Sequence, residues 1–265
     1  MSLSYPELQK TLMDELRLMH YPIAVKFFFD RAEVEELKAN VDNIYTPARP
    51  LSFCQWEIAP RMKGQTILAE KKNLGCANAS FVFGWKSWSA SEVKSHQKYA
   101  RDRDQAEKFV SAKPRLPEGE LEAIAVSPLS QTYFQPDTVH FYVDNMQAYH
   151  LAAYYMAALD VPQLRPAVGV NSSACGGNVF SYTEKTFNLV PACSGSYNAG
   201  KTERGEINAI IPGEQIGLVV EELLRRKQEF GSASITSPGD HFPGADVCKN
   251  CPMIDFKPLK NGAIA

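Results

Sequence analysis

Six cysteines carry most of the chemical potential of this 265-residue chain. Two stand in the run Cys248-Lys249-Asn250-Cys251-Pro252; the others are Cys54, Cys76, Cys175 and Cys193. A Cys-x-x-Cys run presents two thiols from one short loop, which suits a metal ion or an iron–sulfur cluster. Two thiols are half of a four-coordinate site, so two more must come from upstream. The upstream thiols fall into two pairs, Cys54/Cys76 and Cys175/Cys193; the expected set is Cys54, Cys76, Cys248 and Cys251, with Cys175 and Cys193 as the alternative partners of the tail pair. Two other readings of the tail pair stay open. A thioredoxin-like dithiol belongs between a strand and a helix, and Pro252 with irregular sequence after it speaks against that setting. Two plain surface thiols are the third reading.

Cys54 lies two residues into an expected helix at 53–62, opened by Ser52 with Gln55 in the capping-box position. A helix start lowers a thiol pKa and favours the thiolate that a metal needs. Cys76 follows Gly75, which permits close approach of backbone to a bulky ligand. Taken alone, both also fit small buried hydrophobes. Cys175 sits in Ala-Cys-Gly-Gly-Asn and Cys193 in Ala-Cys-Ser-Gly-Ser, each expected at the end of a strand. Loops this poor in side-chain bulk expose backbone N–H groups to an anion, a cofactor or a substrate. The two are therefore expected side by side at a pocket, as cofactor contacts or with one as a nucleophile. Tight helix–strand packing is the plain alternative. The five histidines have no metal-ligand spacing and read as structural, with His241 set apart by its place in the tail.

The elements that must position these thiols are legible in outline. Tyr5, Leu8, Leu12 and Leu16 recur at helical spacing. Residues 23–29 are rich in β formers. Residues 88–112 read as helix with a charged face. Leu121–Val126, Thr138–Val143, Pro166–Val170, Phe187–Val190 and Ile207–Ile211 read as strands, with helices at Asn145–Leu159 and 213–227. This pattern predicts an α+β fold, a mixed or antiparallel sheet with helices packed on it. Residues 1–230 make one domain, with 114–119 as the candidate internal boundary. Residues 231–265 make a Gly- and Pro-rich tail held by something other than an apolar face, and bound metal is one means of holding it.

Composition narrows the function classes. A net charge of −2 and a pI near 6.2 give no reason to expect nucleic acid. No apolar run approaches the roughly 18 residues of a membrane span, and residues 1–18 lack a signal-peptide pattern. The cytoplasm is the expected compartment, and six cysteines in a reducing compartment favour metal or redox chemistry over disulfides.

A series of short motifs carries a family resemblance. In order they are residues 20–27 (HYPIAVKF), Ser52-Phe53-Cys54, Leu74-Gly75-Cys76, Ser127-Pro128-Leu129, residues 136–143 (PDTVHFYV), Asn145-Met146-Gln147-Ala148, Ala174-Cys175-Gly176-Gly177 and Ala192-Cys193-Ser194-Gly195. Together they resemble the family known as domain of unknown function 169, found mainly in anaerobic bacteria and archaea, over about residues 8 to 226. The resemblance implies cysteines at the positions of Cys54, Cys76, Cys175 and Cys193, and it stops short of Cys248 and Cys251. It brings no assigned reaction. An anaerobic setting agrees with oxygen-sensitive iron–sulfur chemistry.

The reading that joins these observations is a cytoplasmic protein binding an iron–sulfur cluster, of the 4Fe–4S type, in a redox role with an electron-transfer partner protein. An enzyme using Cys175 or Cys193 in a substrate pocket is the first alternative. A structural zinc protein is the second.

Overall fold

The structure, a computed structural model, describes residues 3–42, 44–198 and 201–230. The tail, with His241, Cys248 and Cys251, lies outside the described residues. Among the described residues six strands form one antiparallel sheet: β1 (Ile23–Phe28), β2 (Ile67–Glu70), β3 (Ala123–Pro128), β4 (Thr138–Val143), β5 (Asn188–Pro191) and β6 (Ile207–Pro212). Their order across the sheet is β2-β3-β1-β4-β6-β5. The fold is α+β. The strands on either side of residues 114–119 share this sheet, because β1 lies between β3 and β4.

Side chains alternate across a strand, and the two faces of this sheet have different tenants. Ala24, Val139, Phe141, Val143, Ala209 and Ile211 face one way. There they pack against α1 (Tyr5–Leu16), α8 (Asn145–Ala158) and α11 (Ile216–Phe230) through residues such as Leu12, Leu16, Leu151 and Val220. Ile23, Val25, Phe27, Ile124 and Val126 face the other way. The short helices α3 (Phe53–Trp56) and α5 (Ala77–Val82) cover that face together with α9 (Ser173–Glu184). The remaining helices are α2 (Arg31–Asn40), α4 (Ile58–Lys63), α6 (Ala90–His96), α7 (Arg103–Ser111) and α10 (Ser194–Asn198).

Several expected elements differ. The helix at 53–62 breaks at Glu57 into α3 and α4. Pro60 has no N–H to give to a continuous helix, and the restart places it in the first turn of α4, where none is needed. The stretch 88–112 likewise divides, with Asp102 accepting from the Gln105 N–H to start α7 afresh. Pro166–Val170 is not a strand. The Asn188 side chain engages Ala167 instead, accepting from its N–H at 2.9 Å and donating to its C=O at 3.5 Å. An amide side chain thus takes the place of a ladder. β2 has no counterpart in the sequence reading; its four residues are too few to show a period.

Candidate functional site

Cys54, Cys76, Cys175 and Cys193 all line one pocket of about 250 Å³ on the face covered by α3, α5 and α9. The division of these four into two pairs does not survive in space. Each is set at a helix start: Cys54 is the second residue of α3, Cys76 caps α5, Cys175 is the third residue of α9, and Cys193 immediately precedes α10.

Local sequence brings them there in two halves. The segments before Cys54 and Cys76 are tied by a parallel bridge between Leu51 and Leu74. The Leu51 N–H donates to Asn73 O and the Gly75 N–H to Leu51 O, each at 2.9 Å. A Cβ on Gly75 would sit 3.2 Å from Pro50 O, so this glycine serves backbone-to-backbone approach rather than a ligand. In the other half, Gly177 lets α9 lie close on the sheet; a Cβ there would come within 2.5 Å of Ile210 Cδ1. The Cys193 loop is pinned to α9 by its own N–H, which donates to Ser173 Oγ at 2.9 Å. Leading into α9, Asn171 and Ser172 both adopt left-handed backbone, with φ of 63° and 61°. Such residues cost on the order of 1–3 kcal/mol each and persist where the surroundings enforce them.

Beneath the thiols runs a buried polar network that sequence reasoning did not assemble. It sits on the alternate residues of β4, Thr138, His140 and Tyr142, all buried. His140 Nδ1 meets Glu57 Oε1 at 2.5 Å, and the Tyr142 hydroxyl donates to Glu57 Oε2 at 2.7 Å. His140 Nε2 lies 3.0 Å from Asn208 Oδ1. The Asn208 amide nitrogen is spent on Val190 O, so Oδ1 is the acceptor and Nε2 carries a proton. Asn178 donates to Ala174 O at 2.9 Å, reaches His140 Nδ1 at 3.2 Å, and accepts from the Thr138 hydroxyl at 2.6 Å. Glu57 stands three residues after Cys54, and Asn178 three residues after Cys175. That helical spacing stacks each on the same side as its cysteine. His140 therefore ties the two cysteine-bearing helices α3 and α9 together from below.

The four thiols are free and differ in electrostatics. Burial pushes the Cys175 thiol well up from its ordinary value, with Cys76 and Cys193 nearby adding to the rise. Burial also raises Cys54, against the lowering effect of the Ser52 hydroxyl 3.1 Å from its sulfur. The thiolate expected at Cys54 from its helix start is thus overridden by loss of water. At Cys193 burial acts the same way, but hydrogen bonds from Ser173, Ser196 and Gly195 outweigh it and leave this thiol below its ordinary value. Lys113 is lowered, chiefly by burial, while Cys175, Glu92, Cys76 and Cys193 pull it back up. Among the described residues no group of three or more His, Cys, Asp or Glu side chains could hold a metal ion. The thiols ring the pocket instead of converging on one point.

Of the expected site residues, Cys54, Cys76, Cys175 and Cys193 come together; the sharing of a site by Cys54 and Cys76 with Cys248 and Cys251 lies outside the described residues. Glu57, Asn178, Asn208 and Lys113 were missed. The one signal for the network was in the strand Thr138-Val139-His140-Phe141-Tyr142-Val143. Its polar groups alternate with apolar ones although both faces are covered.

A family model for DUF169, described as uncharacterised ArCR, matches residues 11–222. An uncharacterised protein of Methanocaldococcus jannaschii, MJ0308, is 22% identical over 232 residues, which cover 83% of this chain and 93% of that protein. No solved structure matches. Among the described residues no helix is long and apolar enough to cross a membrane.

Proposed function

This chain belongs to the DUF169 family, and from that footing and its four gathered thiols we propose that it binds an iron–sulfur cluster, of the 4Fe–4S type, and works in redox chemistry. The ligands are Cys54, Cys76, Cys175 and Cys193. The observation that carries this reading is that four cysteines from four distant segments line a single pocket. Four thiolates are the usual donor set of such clusters, and soft thiolate donors select iron–sulfur or zinc over hard cations. A single zinc ion would draw its four thiolates to one centre at about 2.3 Å each; thiols spread round a pocket suit a polynuclear cluster better. When bound, such a cluster supplies one-electron transfer at a potential set by its surroundings.

The chain's own residues have separate tasks in this reading. The bridge at Leu51 and Leu74 fixes Cys54 against Cys76, the Ser173 hydroxyl fixes Cys193 against the helix of Cys175, and His140 links the two halves through Glu57 and Asn178. The Gly195 and Ser196 backbone favours the thiolate at Cys193. Cys175 is buried, 7% exposed, and forms the dry inner wall. The cytoplasm and an electron-transfer partner protein belong to the same proposal; free thiols are the state that a reducing compartment keeps.

Anaerobic purification with iron and acid-labile sulfide analysis tests it. About four of each per chain are expected, with sulfide-to-iron charge-transfer absorbance that C175S abolishes and C251S leaves in place. Zinc without colour, or no metal, would refute the cluster. One observation favours a second reading, a thiol enzyme: Cys193 is held below its ordinary pKa, as a nucleophile requires. A colourless protein in which Cys193 alone reacts with a small electrophile would favour that reading.

A further inference from the structure

Lys113 follows α7 and lies behind the cysteine pocket, only 8% exposed. Its ammonium donates to Asn78 Oδ1 at 2.9 Å and to Ser172 Oγ at 3.1 Å. Both partners are neutral. The acid that faces it is Glu92, and Glu92 is held by Lys86 at 2.7 Å. Among the described residues no carboxylate pairs with Lys113. The other groups that face it are His96 and the thiols of Cys175, Cys76 and Cys193.

A buried ammonium without a counter-ion is among the costlier things a fold can hold. Arginine or lysine on the surface would avoid that cost. This one is held in place by two positioned acceptors, one from each side of the pocket: Asn78 belongs to α5, two residues after Cys76, and Ser172 caps α9, three residues before Cys175. A cost kept at one point in a fold points to a gain in another state. Here that state is a pocket carrying negative charge.

We propose that Lys113 is the built-in counter-charge for an anionic tenant of the cysteine pocket, a thiolate-ligated cluster being the tenant that fits. The ammonium offsets charge brought by the thiolates, strengthens retention of the cluster, and holds its reduction potential higher than four thiolates alone would set it. Lys113 touches no ligand atom; it acts through the field. This inference rests on the cluster reading for the identity of the tenant, and on the placement of Lys113 alone for the stored charge.

Two variants separate the outcomes: K113M removes the charge at nearly constant length, and K113R keeps it. Each is prepared anaerobically beside the wild type, with and without iron and sulfide. In the loaded proteins the midpoint potential is read by optical titration with dithionite. K113M is expected to shift to more negative potential and to lose its iron faster to a chelator, with K113R close to wild type on both. A loaded K113M with unchanged potential and retention overturns the counter-charge and leaves the cluster standing. If the wild type takes up neither iron nor sulfide, the cluster reading falls, and thermal melting of the unloaded chains decides Lys113. Stored charge predicts that K113M melts at or above the wild type, since the cost has been removed without losing a tenant. K113M melting well below the wild type would make Lys113 an ordinary structural residue. Should K113M fail to fold, K113Q, which can still donate to Asn78 and Ser172, is read against the same outcomes.

Discussion

Replacing His140 with phenylalanine isolates what the buried network contributes. Phenylalanine keeps the ring that stacks on Tyr142, with centroids 4.7 Å apart and planes 25° from parallel, and removes both nitrogens. Two fully enclosed acceptors then lose their partner: Glu57 Oε1, in a side chain with no exposure, and Asn208 Oδ1, in one that is 1% exposed. A buried group left unsatisfied costs about 1–3 kcal/mol, more when charged, and two such groups are stranded here. The sum expected for H140F is about 4 kcal/mol, a large share of the roughly 5–15 kcal/mol that holds a domain together. At about 2–4 °C per kcal/mol for a chain of this size, the melting temperature should fall by roughly 8–16 °C. The conservative control is E57Q. Its amide can donate to His140 Nδ1 and its carbonyl can still accept from Tyr142, so its cost should stay near 1 kcal/mol. Urea and thermal melts of unloaded protein measure both. H140F within about 1 kcal/mol of wild type, or E57Q as damaging as H140F, would refute the bonding pattern drawn here. A specific second effect follows from geometry: with the tie between α3 and α9 cut, H140F should bind less iron than a core variant of equal stability elsewhere, such as one at Leu151.

Alkylation of the unloaded chain with iodoacetamide at neutral pH should label Cys193 before Cys175, read by peptide mass spectrometry; equal rates would contradict their opposite environments. Alkaline pH should destabilise the unloaded chain. Burial raises the folded pKa of Cys175 and Cys54 above the ordinary 9.0, so their contribution is whole below that value and is lost as pH rises through the folded pKa. C175A should flatten that decline in melts taken between neutral and strongly alkaline pH, and an unaltered slope would dismiss the assignment. Glu222 on α11 is pulled down to about 2 by Arg225, with burial opposing and Arg226 adding to the pull. Its stabilisation is present above the unfolded carboxylate value and vanishes as pH falls toward 2, so E222Q should cost about 1 kcal/mol at neutral pH, discounted for the exposed arginines, and nothing near pH 2. N171G should raise stability by about 0.5–1 kcal/mol, because glycine carries no penalty at φ of 63°; a drop in melting temperature would show that the Asn171 side chain is needed.

Elements with long regular patterns were readable in the sequence: α1 from its leucines, β4 from its alternation and α11 from its apolar face, whereas α8 was placed as a helix but turns Met146 and Tyr149 to solvent and buries Leu151, Tyr154 and Tyr155. The capping box at Ser52 and Gln55 placed the start of α3, and the structure has it there. What sequence could not supply was the meeting of segments. Cys54 and Cys76 looked like one pair and Cys175 and Cys193 another because sequence distance was the only distance available. The contacts of His140 with Glu57 and Asn178, which link the two pairs, and the close seat of α9 on Ile210 join residues without local signature. Lys113, one residue past the charged stretch 88–112, drew no reading of its own, since nothing in its neighbours reveals that Asn78 and Ser172 wait for it. The glycines of the Cys175 loop were read as room for a ligand. Gly177 instead makes room for the sheet, and only the fold distinguishes the two.

The scattered origin of the pocket also fixes when it can be filled. Its walls come from segments around residues 52, 76, 173 and 195, and its floor needs Asn208 of β6, near the end of the described chain. Contacts of such long separation form late, after the intervening chain has closed. While the polypeptide is being made, Cys54 and Cys76 emerge with nothing opposite them, and all four thiols can meet only after the segment carrying Cys193, which follows β5, has been made. If the pocket holds the cluster proposed above, iron and sulfide would reach it only after the chain has folded. On that reading, chain made without iron should be folded and colourless, and should take up a cluster later, in vitro, without passing through denaturant.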